Sequence, residues 1–370
     1  MAENPEAAET PVTPATPQAP ESFGRVSRIG LVGMGRMGRN LCRLLYDSDD
    51  LVLTALSAAI DPAALVYLLR FDTLLGRFPA PVAVAGDLLR LGDRQVRLLP
   101  DKPPGEIPWG ELGIDTVVDA TRGGRTRAEL ERHFVAGARR VFLCAPAAEP
   151  PDVTAVPGLN EDELRGEQRI VFLASPLIHA LAPVAKVLLE AFGIRRAFLT
   201  LVQAYSEQQH LADMPAAEPR RGRAAAENVV LQRTGAAQAL GWLVPELRGK
   251  VTGLAMNVPV ADGSAADLVC WHERPVTVEE VNRTLREAAA GRLAGILDYE
   301  DQPIVSSDAL RRESSGTFDS LATMVLAGNV SKTLTWFDNG WGYAHRLLDL
   351  IRRFREIDAR VAAGAKETGR

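Results

Sequence analysis

The apolar run Ile29-Gly30-Leu31-Val32 leads directly into Gly33-Met34-Gly35-Arg36-Met37-Gly38-Arg39. A short buried strand feeding a glycine turn that opens a helix leaves few folds available. Gly33 supplies the backbone angles of a tight turn, Gly35 lets a pyrophosphate approach the main chain, and Gly38 lets helix and strand pack closely. Helix amides at such a turn bind anions. The pattern predicts a doubly wound α/β unit able to hold a dinucleotide. It continues through a helix over 37–46, a strand over 51–56, buried strands at 116–118 and 141–144, and a charged helix over 125–136.

At 370 residues and 46% hydrophobic content, two domains are expected. A net charge of -5 with arginines scattered among acids argues against nucleic acid as a partner. No apolar run approaches the roughly 18 to 20 residues that cross a bilayer, and no basic-then-apolar leader is present, so a cytoplasmic protein away from membranes is expected. Cys42, Cys144 and Cys270 sit in apolar runs and are odd in number, which reads as buried thiols. His133, His210, His272 and His345 lack metal-ligand spacing, so no metal site is expected. Residues 1–25, rich in Pro, Ala, Glu and Thr, read as a disordered tail.

The second half has alternating strand patterns at 197–202 and 266–271, the mark of a mixed or antiparallel sheet. Helices are expected over 181–191, 278–289 and 320–326, and a last helix over 344–363. The resulting partition is a Rossmann dinucleotide-binding domain over 26–174, an α+β domain with a mixed sheet over 175–341, and a C-terminal helix within 342–370.

Several blocks resemble the glyceraldehyde-3-phosphate dehydrogenase family. They are the glycine turn, Val66-Tyr67 through Asp72 to Gly76-Arg77-Phe78, Leu181-Ala182-Pro183, Arg220 to Asn228 followed by Thr234-Gly235, Val305-Ser306-Ser307-Asp308, and Trp336-Phe337-Asp338-Asn339-Gly340-Trp341-Gly342-Tyr343. The resemblance implies NAD or NADP as cofactor, held by Gly33, Gly35, Arg36, Met37, Gly38, Ser57, Thr121, Asn339 and Tyr343. It implies anion contacts from Ser175, Ser206, Arg221, Thr234 and Gly235. A homo-dimer or tetramer is implied too, with a C-terminal helix returning to the cofactor domain.

Departures from the family fall on the reacting groups. The family carries a nucleophilic Cys at a helix start and a His that activates it, and here those positions read Pro176 and Gln203. Asn257 stands for a family Arg, Leu177 for a Thr and Gln208 for an Asp, which weakens bidentate phosphate binding. Ser57 replaces the acid that grips the adenosine ribose, with Asp61 as a stand-in after a loop shift. Arg122 replaces a glycine beside the nicotinamide. Ser175 and His179 share a helix face and could form a nucleophile–base pair, although no third group orients the imidazole. Cys144 and Cys270 are expected on strands away from the site. Two readings follow: a non-catalytic nucleotide- or partner-binding homologue, able to co-assemble with an active paralogue, or an NAD(P)-dependent oxidoreductase acting on another aldehyde or anionic substrate without a thioester.

Overall fold

The computed structural model describes residues 26–206 and 209–368. The tail expected over 1–25 therefore lies outside the described residues, as does Gln208. The first half forms one sheet from β1 (Ser27–Val32), β2 (Leu51–Ser57), β5 (Val82–Ala85), β6 (Leu88–Leu91), β7 (Arg94–Leu99), β8 (Thr116–Asp119), β9 (Arg140–Leu143), β10 (Val153–Thr154) and β11 (Ile170–Phe172), with a two-strand ribbon of β3 (Phe71–Asp72) and β4 (Gly76–Arg77) beside it. The order is β10-β11-β9-β8-β1-β2-β7-β6-β5. Pairing is parallel from β10 to β7, and β6 and β5 close the edge as antiparallel strands.

Helices α1 (Arg36–Asp47), α2 (Pro62–Arg70) and α3 (Arg127–Val135) connect this sheet. Sequence sets their starts. Asp61 caps α2 by accepting from Ala64 N at 2.9 Å. Thr126 and Glu129 cap α3 reciprocally, a box that satisfies two otherwise unpaired amides. Because β1 is flanked by β2 on one side and β8 on the other, the carboxyl ends of β1 and β8 form the crevice where such sheets bind ligands.

The second sheet contains β12 (Arg196–Ala204), β13 (Val230–Gln232), β14 (Val251–Val258), β15 (Ser264–Trp271), β16 (Leu297–Glu300), β17 (Gly316–Leu326) and β18 (Val330–Phe337), in the order β13-β14-β12-β15-β18-β17-β16. It is mixed, with β12/β14 and β16/β17 parallel and the rest antiparallel. Helices α4 (Pro176–Phe192), α5 (Ala236–Leu243) and α6 (Val278–Ala290) pack against it around Leu181, Leu188, Leu199, Leu268, Leu285 and Phe318. The helix expected over 320–326 is instead the second half of β17. A register shift between Asp319 and Met324 breaks its alternation, so the apolar spacing there mimics a helical stripe.

Helix α7 (Trp341–Thr368) returns to the first sheet. Leu347, Ile351 and Phe354 join the core of Ile29, Leu31 and Leu41, and Phe354 meets Phe142 edge-on at 5.7 Å. Arg140 fixes this return, bonding Asp358 at 2.8 and 3.2 Å while lying 4.2 Å over the Phe354 ring. Removing one partner of such a buried pair costs about 3 to 5 kcal/mol.

Candidate active-site cleft

The glycine turn sits at the β1–β8 crevice. Gly33 has φ 93°, and a Cβ there would meet the Ala120 backbone at 3.1 Å. At Gly38 a Cβ would run into the Gly33 carbonyl oxygen, whereas Gly35 faces open space. Gly35 is also the α1 N-cap, with no side-chain cap bond. The first amides of α1 thus point at an uncrowded concavity suited to a phosphate. Arg36 begins the helix and adds positive charge, and the partly buried Met37 packs against the core.

Ser57 ends β2 fully buried, and its hydroxyl donates to the Pro100 carbonyl at 2.9 Å. The hydroxyl of Ser57, expected at the ribose, is thus engaged within the fold. Its carbonyl instead accepts from Gly33 N at 2.9 Å, so Ser57 supports the turn through its backbone. Asp61 is committed as the α2 cap, so it does not replace the missing acid.

At the other end of the crevice Asp119 gathers its neighbours. Its carboxylate accepts from Thr121 N at 2.9 Å, Thr121 Oγ1 at 2.5 Å and Arg125 Nε at 2.6 Å. Thr121 is therefore tied into a turn, and Arg125, which sequence reasoning missed, takes the inward position while Arg122 is exposed. The Asp119–Arg125 spacing across a Gly-Gly turn was the available signal.

Asn339 and Tyr343 flank the start of α7. Asn339 Oδ1 accepts from Ser264 Oγ at 2.7 Å, and the Asn339 main-chain N donates to Asp262 Oδ1 at 3.0 Å. Asp338 caps the helix through Gly340 N and Trp341 N at 2.7 and 2.6 Å. Burial, and then the Asp338 charge, raise the Asp262 pKa. Both carboxylates border a cavity of about 190 Å³ with Arg36 and Asn40. This joins the start of α1 to the start of α7 and was not legible in any single motif. The Tyr343 hydroxyl lies 3.3 Å from both the Cys144 and Ala174 carbonyls, and burial raises its pKa.

Those contacts place Cys144 one residue beyond β9 in the wall of the cleft, not away from it as expected. The thiol pKa is raised by burial and then by the Asp119 charge, so it is a poor nucleophile. Burial likewise pushes Cys42 and Cys270 up to about 12.

Where α4 begins, Ser175 is the N-cap and accepts from Ile178 N at 3.4 Å, with Pro176 as the first helical residue. Proline suits that position because it has no N–H to leave unpaired. Ala174, just before, has φ 50°, a left-handed angle that is uncommon outside glycine. The imagined Ser175–His179 pair is not formed. His179 Nε2 engages the Leu173 carbonyl at 2.5 Å, its Nδ1 has no partner, and the ring meets Tyr343 edge-on at 5.4 Å. Burial drives its pKa down to about 4, so this is a neutral packing histidine.

Gln203, on β12, pairs in parallel register with Asn257 on β14. Asn257 Nδ2 donates to Gln209 Oε1, which also accepts from Ser206 N at 3.0 Å. Three amides thus occupy the region where the resemblance puts an imidazole and a guanidinium. Gln209 was missed because nothing marks it in sequence. Thr234 Oγ1 accepts from Ala236 N at 3.1 Å, and Gly235 is the exposed α5 N-cap. Leu177 is buried, and Arg221 lies in a 3-10 turn over Pro219–Gly222.

Trp109 donates to His133 Nδ1 at 2.9 Å, and His272 engages the Gly193 carbonyl and Ser331. Among the described residues no group of three or more His, Cys, Asp or Glu side chains could hold a metal ion, and no helix is long and apolar enough to cross a membrane.

Comparison with known proteins gives two domain matches. The glyceraldehyde 3-phosphate dehydrogenase NAD binding domain matches residues 27–127, and the C-terminal domain of the same enzyme matches 178–339. The chain is 42% identical over 314 residues to glyceraldehyde-3-phosphate dehydrogenase 2 of Streptomyces avermitilis, covering 84% of this chain and 93% of that protein. Identity to the Streptomyces coelicolor glyceraldehyde-3-phosphate dehydrogenase is 43% over 315 residues, covering 84% of this chain and 94% of that protein. For the Geobacillus stearothermophilus enzyme it is 40% over 313 residues, covering 84% and 93%.

Proposed function

Because the chain belongs to the glyceraldehyde-3-phosphate dehydrogenase family, we propose that it keeps the family's dinucleotide cradle and has given up phosphorylating aldehyde oxidation. The observation that carries this reading is the start of α4, where Ser175 caps the helix and Pro176 occupies the first helical position. A thioester route needs a thiolate that bonds the substrate carbonyl carbon and a base that accepts the proton. Pro176 offers neither sulfur nor hydroxyl. Gln203 cannot exchange a proton near neutral pH, and the Cys144 thiol is held protonated by burial.

The residues present fit NAD or NADP at the crevice. Gly33 and Gly38 set the turn, the space over Gly35 receives the pyrophosphate, Arg36 adds charge beside it, and Asn339 and Tyr343 frame the far end with Thr121. When bound, the nicotinamide would supply hydride-acceptor chemistry. Without a phosphate-binding Arg at 257, Ser175, Ser206, Arg221, Thr234 and Gly235 hold a triose phosphate weakly. We assign 26–174 to nucleotide binding, 175–341 to the former reaction domain and 342–370 to the helix that clasps them. Homo-oligomers, or mixed oligomers with an active paralogue, use the Arg220–Asn228 loop.

The second reading is an oxidoreductase working on a different substrate without a covalent thioester. The open approach to Gly35 favours it, since a cradle kept free of side chains can still take cofactor. The deciding experiment uses tagged protein purified free of host enzyme, with glyceraldehyde 3-phosphate, phosphate and NAD or NADP. No cofactor reduction is expected, alongside calorimetric binding of the cofactor. A phosphate-dependent rate would overturn the proposal.

A further inference from the structure

The parallel strands β1, β8 and β9 begin side by side, and at their amino ends lies a cavity of about 370 Å³. It sits at the opposite edge of the sheet from the glycine turn. β1 joins the two, and Ser27 to Val32 spans about 17 Å at about 3.3 Å per residue. The middle of α7 closes one side, where Ile351 and Phe354 with Phe142 form an apolar wall. A cavity of this size with one apolar wall and a few converging charges has the make-up of a small-molecule site, which spans about 300 to 1,000 Å³.

Its charges do not balance. Arg28, Arg139, Arg140 and Arg355 line it against only Asp115 and Asp358. Asp358 is buried and shared, bonded by Arg140 Nη1 at 2.8 Å and Arg139 Nη2 at 2.9 Å. Asp50, the partner of Arg355 at 3.0 Å, lies outside the lining and is also held by Arg352 at 2.9 Å. The main chain places these groups. Arg139 N and Arg140 N donate to the Asp115 carbonyl at 2.7 and 3.1 Å, which ties the start of β9 to the start of β8. The exposed Arg28 reaches the Leu112 carbonyl at 3.4 Å, passing Gly113, where a Cβ would come within 3.2 Å of its Nη1. Asp115 adds an acceptor, since its Oδ1 is buried and has no hydrogen-bond partner among the described residues. An unpaired buried oxygen is costly, and rotation of the carboxyl presents it to a donor in the cavity.

Guanidinium forks match the oxygens of a phosphate. A phosphate monoester carries close to two negative charges at neutral pH, which equals the excess of arginine over aspartate in the lining. An inorganic phosphate would fill a small part of the cavity and leave Asp115 without a donor. A hydroxyl-bearing organic group answers both. We propose that the cavity binds a hydroxylated phosphate monoester of pentose-phosphate size. Its phosphate joins the Arg28, Arg139 and Arg355 guanidinium groups as a further partner, and one of its hydroxyls donates to Asp115. Arg140, bonded to Asp358 and to the Gln168 and Gly166 carbonyls, is a positioning residue. The assignment is independent of whether the crevice at the other edge takes a nucleotide.

The test is calorimetry on the full chain in phosphate-free buffer, with ribose 5-phosphate, inorganic phosphate and ribose as titrants. One ribose 5-phosphate per chain is expected, at least about tenfold tighter than inorganic phosphate, with no heat from ribose. Arg28→Glu, at an exposed side chain, should weaken ribose 5-phosphate at least about tenfold. Arg28→Gln with Arg139→Gln should do the same, its fold checked by the urea midpoint. Asp115→Ala should weaken ribose 5-phosphate and not inorganic phosphate. Arg36→Gln at the glycine turn and Arg221→Gln in the second domain should leave the ribose 5-phosphate constant unchanged. Absence of binding by the folded parent would overturn the proposal. So would binding that survives Arg28→Glu and is lost in Arg36→Gln or Arg221→Gln, which places the ligand in the cleft. Equal affinities for inorganic phosphate and ribose 5-phosphate, both unchanged in Asp115→Ala, would overturn it as well, since the cavity would then take the inorganic ion alone.

Discussion

The two ends of the cleft are made of different material. At the glycine turn the binding device is backbone: Gly33 and Gly38 are fixed by contacts a Cβ would violate, Gly35 is left open, and Ser57 contributes a carbonyl rather than a hydroxyl. At the α4 start and the β12 end, the resembled chemistry depends on side chains, and in the proposed reading Pro176, Gln203 and Asn257 stand in their place on an unbroken helix and strands. A helix start accepts Ser-Pro as readily as any sequence, and a sheet register accepts Gln beside Asn. Backbone function is therefore protected by folding itself. Side-chain chemistry has no such protection, which is why the proposed reading keeps one end of the site and gives up the other.

Restoring side chains at the reaction end is the largest perturbation of this contrast. Pro176→Cys with Gln203→His should create a thiol at a helix N-terminus beside an imidazole, which lowers its pKa. Iodoacetate should label it about a thousandfold faster than Cys42, Cys144 and Cys270, given thiol pKa values well above neutral for all three and the dependence of reactivity on the thiolate. Turnover should stay poor until Asn257→Arg is added, and that change should lower KM more than it raises kcat. Family-like efficiency in the double variant alone would mean that the phosphate contacts are intact.

Backbone can be tested by two substitutions of one methyl group. Gly38→Ala forces a Cβ into the Gly33 carbonyl, and the strain should lower stability by about 1 to 3 kcal/mol and abolish nucleotide binding. Gly35→Ala meets nothing in the protein, so its urea midpoint should hold while nucleotide affinity falls about tenfold, roughly 1.4 kcal/mol. If both variants lost stability equally, the open space over Gly35 would not be a ligand site.

Buried histidines add a pH dependence unrelated to catalysis. His179 and His133 each have a pKa pushed down to about 4 by burial, against about 6.5 in an unfolded chain. Between those values the unfolded state binds more protons, so stability rises with pH across the window and is lost as pH falls from about 6.5 toward 4. Each group contributes a slope of up to about 1.4 kcal/mol per pH unit. His179→Gln should reduce the slope of urea-derived stability between pH 6.5 and 4.5 by about half that of the pair. An unchanged slope would mean that His179 is protonated in the folded chain and could act as more than packing.

The glycine turn, the strand–helix alternation and the α4 cap were legible because each depends on neighbours in sequence. The partner of Ser57 was not, since Pro100 follows β7, a strand parallel to β2 that no motif marks. The Asp262–Asp338 pair and the Cys144–Tyr343 contact likewise join segments far apart in the chain. The stretch 320–326 misled because a register shift in a strand leaves apolar residues at helical spacing. Local rules found most of the elements. Which way their side chains turn was decided by long-range packing.

The smallest expected effect concerns the ribose. Ser57 is turned into the sheet, the next residue, Ala58, is apolar, and Asp61 is spent on its helix, so no carboxylate remains to repel a 2'-phosphate or grip a 2'-hydroxyl. Calorimetry should give NAD and NADP dissociation constants within about threefold, a difference of about 0.7 kcal/mol. Asp61→Ala should lose only the α2 cap, costing about 1 kcal/mol of stability, and should leave the ratio of the two constants unchanged. A strong NAD preference that disappears in Asp61→Ala would require this carboxylate to leave Ala64 N and reach the ribose. Side-chain selectivity would then survive at the cofactor end, and the division between a backbone cradle and side-chain chemistry would have to be redrawn at α2.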